Sequence, residues 1–600
     1  MTEQGSGLRK RLPRGAFYPG SGRLRGDVVT VPASSFTADQ CAFLASELEQ
    51  WLPGAASPTS DDPLESFCEL VIGAHAALIR EAGFYYSEDP RLLRGGDKLS
   101  VAIPKIPSGT ELAFELFERL AMLCAATALQ GKPMAAWIGG LQQEIAKVAL
   151  PIPAASHMAR AAYELGMPLL EMHGTFLQVG YGACGVALSG SITEDTSSIG
   201  VHFAREKAKA NALLARAGFP VADGGLVRDL PHALKRAEAL GYPVVVKPAD
   251  RDGGMAVSSD IRTPAEFEGA YARARAASPR VIVEKHIEGT DHRLLLYRDE
   301  LLVALERTPG GVTGNGTDTI LQLLDELNSD PKRGDGPKAL LHRIVFDAEA
   351  KTMLRRQGLT LESVPEKGRF VPLRRAANHA LGGMVRVVEN IHPDNVDLAR
   401  RAMKLLRLDI AGLDLILPDI TRSWRETGGA ICEVNAQPYI GEVIGRDYYQ
   451  LILQKLVPNG GRIPLVLAIG APDVAVVDEL ARTPGIAIAD VSGARRDGHP
   501  LSVEGMPWLT ACQAALYDCE TAAALFVLPT NQAVPPLSPA DRFTAALVLE
   551  TPPEGFETLL QRADTIYAVD SAAPALRKAG IKFTKLDPAA IPTRLATALG

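Results

Sequence analysis

Cysteine is scarce in this chain: seven residues in 600 (Cys41, Cys68, Cys124, Cys184, Cys432, Cys512 and Cys519), odd in number and nowhere spaced as C-x-x-C. That pattern excludes a disulfide framework and a cysteine-rich zinc site, and the thiols read as reduced core residues. Excess positive charge is also absent. Lys and Arg total 63 against 70 Asp and Glu, a net charge of -7, which gives no global attraction for nucleic acid or an anionic membrane. Nor is there an apolar run of membrane-spanning length, since PLVLAIGAPDVAVV is interrupted by Pro472 and Asp473. No apolar segment of signal-peptide length follows the basic start MTEQGSGLRKRLPRG. The expected compartment is the cytoplasm, and the expected partners are small molecules. Internal repeats and low-complexity tracts are lacking as well.

Apolar residues make up 46% of the chain and charged ones 22%, ample for packed cores. Single cores stop growing at roughly 250–300 residues, so three domains are expected, over residues 1–165, 166–457 and 458–600. Residues 36–150 carry helical periodicity, as in CAFLASELEQWL and ELAFELFERLAMLCAATALQ. Helix and strand alternate from residue 203: YPVVVKP, RVIVEKHI, HRLLLYRDELLVALER, IAGLDLILP and GAICEVN read as strands, the last two following the helix NVDLARRAMKLLRL. Pro458-Asn459-Gly460-Gly461 has linker composition. Beyond it, strands are expected near 465–469, 486–489, 524–528, 545–549 and 565–569.

Chemistry concentrates in the middle. GLDLI and ICEVN place Asp414 within one strand and Glu433 and Asn435 on one face of the next. Two carboxylates and an amide are the hard oxygen ligands that magnesium prefers, often with substrate phosphates completing its shell. A lone acid facing inward on so apolar a strand would be costly to bury. Lys247 ends the strand PVVVK before the turn-rich PADRDGGMAV; from the residues alone it is either a phosphate ligand or a snorkelling strand end. Glu284 and Asp291 bracket a strand end and a hinge, where a ribose ligand and a solvated turn are equally good readings.

The order of these elements resembles that of ATP-grasp enzymes over residues 205–440: Lys, strand Lys with a loop, E-x-x-x-x-G-x-[DE], then D and E-x-N. More narrowly, residues 177–436 look like the central domain of cyanophycin synthetases, through LQVGYG, ITEDTSS, VIVEKHIEGTDHRLLL, VTGNGTDTI, NSDPKRG, QGLTLESVPEKG, HPDNVDLARRA and GGAICEVNA. The resemblance implies a multidomain α/β protein: an α-rich amino-terminal domain, a central ATP-grasp fold and a small Rossmann-like remnant of a Mur-ligase domain. It implies ATP and Mg2+ as cofactors. Lys207, Lys247, Gly253 and Gly254 would contact phosphates, Glu284 and Ile287 line the adenine pocket, Asp291 hold the ribose, and Asp414, Glu433 and Asn435 hold the metal. Arg293, Arg374 and Arg375 would stabilise charge at the transferred phosphoryl or acyl group.

Three departures accompany the likeness. The phosphate loop K-P-x-D-G-N-x-G-[RK]-G is replaced by K-P-A-D-R-D-G-G-M-A, with Arg251, Asp252 and Met255 where glycine, asparagine and a basic residue are usual. Ala380 and Tyr439 stand at positions of a hydroxyl and a glycine. PLVLAIGAPDV lacks the lysine and hydroxyl residues of a Mur-type phosphate loop, so a second ATP site is not expected. The implied activity is ATP-dependent joining of a carboxylate to an amine through an acyl phosphate, on amino acids, β-aspartyl dipeptides or a peptide polymer, by a dimer or tetramer. The alternative is a catalytically weak pseudoenzyme that partners or regulates a complete synthetase.

Overall fold

The structure, a computed structural model, describes residues 36–600 apart from 53–54, 56–57, 82–83, 86–90, 96–97, 103–109, 147–152, 174, 252–255, 335–340, 376, 378–380, 439–447 and 536–537. It divides into two compact units: Met1–Gly190 together with Tyr449–Gly600, and Ser191–Tyr448. No helix among the described residues is long and apolar enough to cross a membrane.

The first unit begins with helices Ala38–Trp51, Pro63–Glu81, Thr110–Gln130, Ile138–Ala146 and Pro153–Glu164. The first is started by a capping box, Thr37 with Gln40, and Leu44, Leu48, Leu70, Leu78, Phe117 and Leu120 form the common core. A hairpin, Arg91–Gly95 with Lys98–Ala102, interrupts the expected run of helices. The C-terminal part of this unit is an eight-stranded sheet whose six parallel strands run to one edge, in the order Ile486–Asp490, Ala523–Leu528, Leu465–Ile469, Ala545–Val548, Ile566–Ala568 and Thr584–Lys585. AALFVL and LVLAI are buried at every residue, as strands covered on both faces require. The five strands expected here are present; Gly493–Arg496, His499–Pro500 and Thr584–Lys585 are too short and too polar to stand out in the sequence.

The stretch Pro458–Gly461 is not a loose linker. Gly461 (φ +76°) packs on Gly180, where an added Cβ would meet the Gly180 Cα at 2.6 Å, and its carbonyl accepts from the Tyr181 amide at 2.8 Å. Tyr181 in turn donates to Asp541 Oδ1 at 3.0 Å, and Arg462 holds both Asp541 oxygens at 2.9 and 2.7 Å. Glycine composition here serves close backbone approach, which composition alone cannot distinguish from flexibility.

In the second unit, β1 (Gly224–Val227), β2 (Val244–Pro248), β3 (Ser258–Ile261) and β4 (Val281–Lys285) form an antiparallel sheet in the order β1-β4-β2-β3. Val244, Val246, Val281 and Val283 pack with Phe267, Ala270, Ala233 and Ala237 of two covering helices. By alternation Lys247 and Glu284 point from the opposite face. A second antiparallel sheet comprises β5 (Thr290–Tyr297), β6 (Glu300–Thr308), β7 (Met384–Val388), β8 (Ile410–Leu417) and β9 (Ala430–Asn435), in the order β7-β6-β5-β8-β9. Leu294, Leu296, Ala304, Leu413 and Leu415 pack against Leu398, Ala402 and Met403 of the helix Pro393–Leu405. Asp291, Arg293, Arg307, Gly412 and Asp414 occupy the alternate positions and share the other face. The architecture is multidomain α/β with a helical amino-terminal part and an ATP-grasp domain, as expected.

If residues 458–461 form a packed joint, Gly460 and Gly461 should respond differently to substitution. Gly460 (φ +61°) has open space around an added Cβ, so Gly460→Ala is expected to cost only the left-handed backbone penalty of about 1 kcal/mol. Gly461→Ala adds a backbone clash and should cost at least ~2 kcal/mol. Urea unfolding of both variants checks this, equal small losses being the result a free linker would give.

Candidate nucleotide and metal site

Alternation along five strands gathers most of the expected residues. The register sets Arg293 of β5 opposite Asp414 of β8, Asp414 opposite Glu433 of β9, and Gly412 opposite Asn435. The β8–β9 ladder is irregular just past Asp414, where Leu415 pairs with Ile431, leaving Cys432 as the extra residue of a bulge. That insertion lets Ile431 face the core while Glu433 still faces Asp414.

Lys207 opens the helix Lys207–Arg216 and is 7% exposed; its Nζ lies 3.4 Å from Glu433 Oε1 and donates to the Arg251 carbonyl at the start of the loop after β2. Lys247 Nζ lies 2.7 Å from Glu284 Oε2, and Asn211 Nδ2 donates to Glu284 Oε1 at 3.3 Å. On the five-stranded sheet, Arg293 grips both oxygens of Asp414, through Nε and through Nη2 at 3.0 Å. Its side chain runs over Gly412, where a Cβ would come within 2.9 Å of the guanidinium. Asp291 accepts from Arg307 Nη2 at 2.7 Å, and the same nitrogen lies 2.9 Å from Asp414 Oδ2.

Ile287 is half-buried in the connection from β4 to β5. Gly253 and Gly254, with Asp252 and Met255, lie outside the described residues, as do Ala380 and Tyr439. The structure does not bring Arg374 or Arg375 into the cluster. Arg374, 3% exposed, donates to Asp347 Oδ1 at 2.8 Å and to the Val345 carbonyl at 2.6 Å. Asp347 caps the helix Ala348–Arg356, so the two terminal guanidinium nitrogens are held at a helix start. Arg375 Nη1 donates to the Ser259 carbonyl of β3 at 3.3 Å, and its amide to Glu349. A pair of adjacent arginines in a loop gives no sign of which partners will claim it.

Arg307 and Cys432 are the residues that sequence reasoning passed over. Arg307 follows Val303 and Leu305 at alternate positions of an apolar strand, the pattern that singled out Asp414. Cys432 looks like a core thiol, and burial does push its pKa far up; yet the bulge sets it among Lys247, Asp291, Glu284 and Asp414.

The charges compete within a poorly hydrated space. Burial alone would raise the Asp414 carboxyl, but Arg293 and then Arg307 outweigh it and hold it below the usual range. For Glu433 burial wins, and with help from Asp414 it raises the carboxyl despite Lys207. Asp291 is likewise raised, first by burial and then by Asp414, against Arg307. Burial would lower the Lys247 ammonium, but Glu284 more than compensates and its pKa is raised. Among the described residues no group of three or more His, Cys, Asp or Glu could hold a metal ion. The trio Asp414, Glu433 and Asn435 depends on its amide, and as an all-oxygen set it suits a hard cation such as magnesium.

These directions have opposite consequences for stability. Asp414 is depressed, so it contributes above the ordinary carboxylate pKa and that contribution is lost as pH falls through its lower folded value; Glu433 is raised, so its ionised form opposes folding at neutral pH and is relieved on acidification. At pH 7, Asp414→Asn is expected to destabilise the nucleotide-free protein by roughly 3 kcal/mol, whereas Glu433→Gln should raise the melting temperature. The gain in Glu433→Gln should shrink as pH falls from 7 toward about 4. Thermal melts across that range check both signs.

Parts of this sequence are similar to known proteins. Residues 206–294 match the family model described as the carbamoyl-phosphate synthase L chain, ATP binding domain. The cyanophycin synthetase of Trichormus variabilis is 38% identical over 329 residues, 53% of this chain and 36% of that protein. A glutathione biosynthesis bifunctional protein of Mannheimia succiniciproducens is 30% identical over 306 residues, 50% of this chain and 39% of that protein. Among solved structures, the bifunctional glutathione synthetase from Pasteurella multocida aligns with a TM-score of 0.39 at 23% identity, covering 58% of this chain and 51% of that one. The chain thus spans little more than a third of the length of the curated relatives it matches. Over about half of its own length it is a homologue of the cyanophycin synthetases, with an ATP-grasp domain at its centre.

Proposed function

We propose that this chain is an ATP-dependent carboxylate–amine ligase that forms an amide bond through an acyl phosphate and releases ADP and phosphate. The observation that carries the reading is the convergence of Lys207, Lys247, Arg293 and Arg307 with Glu284, Asp291, Asp414, Glu433 and Asn435 across two sheets. Cations of this density suit a polyphosphate, and oxygen ligands beside them suit its magnesium. A bound Mg2+, held by Asp414, Glu433 and Asn435, would neutralise charge on the phosphates. Lys207 and Lys247 would neutralise the phosphates from the other side, with Asp291 toward the ribose, Glu284 and Ile287 toward the base, and Gly253 and Gly254 in the phosphate loop. Arg293 would face the phosphoryl group, where a fixed cation counts most in a water-poor site. In the reaction a substrate carboxylate oxygen attacks the γ-phosphorus and ADP leaves; the amine nitrogen then attacks the acyl carbon, phosphate leaves with the bonding pair, and the amine gives up a proton.

The proposal extends to amino acids or β-aspartyl dipeptides as substrates, on the likeness to proteins named cyanophycin synthetase, and to a cytoplasmic dimer or tetramer. The division at residues 165 and 457 and the Mur-ligase origin of the C-terminal segment belong to the same reading. A pseudoenzyme that partners a complete synthetase is the second reading, favoured by the substituted loop from Arg251 to Met255.

Phosphate release in the presence of ATP, with amino acids, β-aspartyl dipeptides and primer peptides as acceptors, separates the two. The ligase reading expects release that depends on an amine and is lost by at least about 100-fold in Glu433→Gln. ATP binding without amine-dependent release from any acceptor favours the pseudoenzyme. In either case MgATP should raise the melting temperature of the wild type, and Lys247→Ala should diminish that shift.

A further inference from the structure

Arg307 stands between the carboxylate assigned to the ribose and the one assigned to the metal. One nitrogen, Nη2, reaches Asp291 Oδ1 at 2.7 Å and Asp414 Oδ2 at 2.9 Å, while Arg293 takes both oxygens of Asp414. Every oxygen of Asp414 therefore faces a guanidinium donor. The Nε of Arg307 is buried and has no hydrogen-bond partner, so the guanidinium is only partly satisfied where it lies, and a further acceptor would be bound at little cost. No other cation is paired with Asp291 among the described residues, and the apolar Leu305 and Val303 precede Arg307 on its side of β6.

We propose that Arg307 is the resident counter-ion of the metal position, a positioning residue that keeps a divalent cation off Asp414 until nucleotide arrives. The inference rests on the nucleotide and metal reading above. Arg293 and Arg307 already share the Asp414 carboxylate, so a divalent cation arriving alone adds further positive charge to a poorly hydrated space and meets a large repulsion. Phosphates change this, because they offer the guanidinium a new anionic partner and bring part of the metal's ligand shell. Metal and nucleotide then enter together, and binding of each strengthens binding of the other by the same factor. The order of events is set by a residue that need not touch the metal.

The test measures Mn2+ binding to the full chain by the EPR signal of free Mn2+, with and without ATP. Wild type should bind Mn2+ weakly alone and much more tightly with ATP. Arg307→Met and Arg307→Gln should bind Mn2+ in the absence of ATP at least about tenfold more tightly than wild type, and the gap between the two conditions should narrow. Arg307→Lys, which restores the positive charge, should behave as wild type. A merely structural arginine predicts loss of affinity on substitution, never gain, and the glutamine variant keeps a donor for Asp291 should the methionine variant not fold. Mn2+ affinity without ATP equal to or below that of wild type in both neutral variants overturns the role of Arg307 while leaving the nucleotide site standing. Absence of Mn2+ binding to wild type even with ATP overturns the nucleotide reading and the counter-ion role together.

Discussion

The ion pair between Asp414 and the guanidinium of Arg293 is the contact on which the arrangement of this unit depends. It joins neighbouring strands at directly opposed positions, in a sheet whose reverse face is packed with Leu294, Leu413 and Leu415. A single carboxylate on so buried a strand would carry a desolvation cost of several kcal/mol. Arg293 and Arg307 offset it; Arg307 also fixes Asp291, and Asp414 sets the field felt by Glu433. Lys207 and Lys247 complete the balance from the helix and from the four-stranded sheet. Four cations, Lys207, Lys247, Arg293 and Arg307, face four anions, Glu284, Asp291, Asp414 and Glu433. The cluster is close to neutral, and this is the condition under which so much charge can be kept from water.

Neutrality reached by exchangeable pairs is also what a ligand site needs. Replacing the whole cluster by apolar side chains of like volume would leave the fold no worse off; the acids that burial raises, Asp291 and Glu433, oppose folding in their ionised state. Such groups are retained where they act on something that the folded chain meets later. On the function proposed above, a polyphosphate with its metal would take up these pairs one by one, lysines and arginines turning to phosphate, acids to metal and hydroxyl. The bulge at Cys432 belongs to the same economy of placement, since without the extra residue Glu433 and Ile431 could not both face their proper sides.

Alternation explains how much of this could be read from the amino-acid sequence. GLDLI and CEVN declare their faces because an acid recurs where a period of two demands an apolar residue, and VVVK does the same for Lys247. Arg307 obeys the rule equally, but LERT sits at a strand end, where a charged residue is unremarkable. Arg374 and Arg375 show the opposite failure. Their neighbours in sequence suggested a place at the reacting group, whereas their partners, Asp347, Val345, Glu349 and Ser259, lie far along the chain and belong to a helix cap and a strand edge. Long-range pairing of this kind leaves no local mark. Pro458–Gly461 is a third case: glycine permits both a hinge and a contact between backbones, and only the contact with Gly180 decides.

The C-terminal sheet shows how a similar position can be closed. Its central strand, Leu465–Ile469, leads through Gly470-Ala471-Pro472-Asp473 into the helix Val474–Arg482, the connection at which a doubly wound fold commonly receives a phosphate. Here the Ala471 amide donates to Glu550 Oε1 at 3.1 Å, and Thr530 Oγ1 to Glu550 Oε2 at 2.8 Å. Asp473 takes the Ala475 amide at 2.8 Å. Two carboxylates of the chain itself therefore hold the donors that a phosphate would use, and they add negative charge where one would have to approach. A lysine could offset that charge, but the connection contains none. In a connection without a lysine, internal anions on short tethers, Glu550 and Asp473, satisfy the amides at less entropic cost than a free anion would.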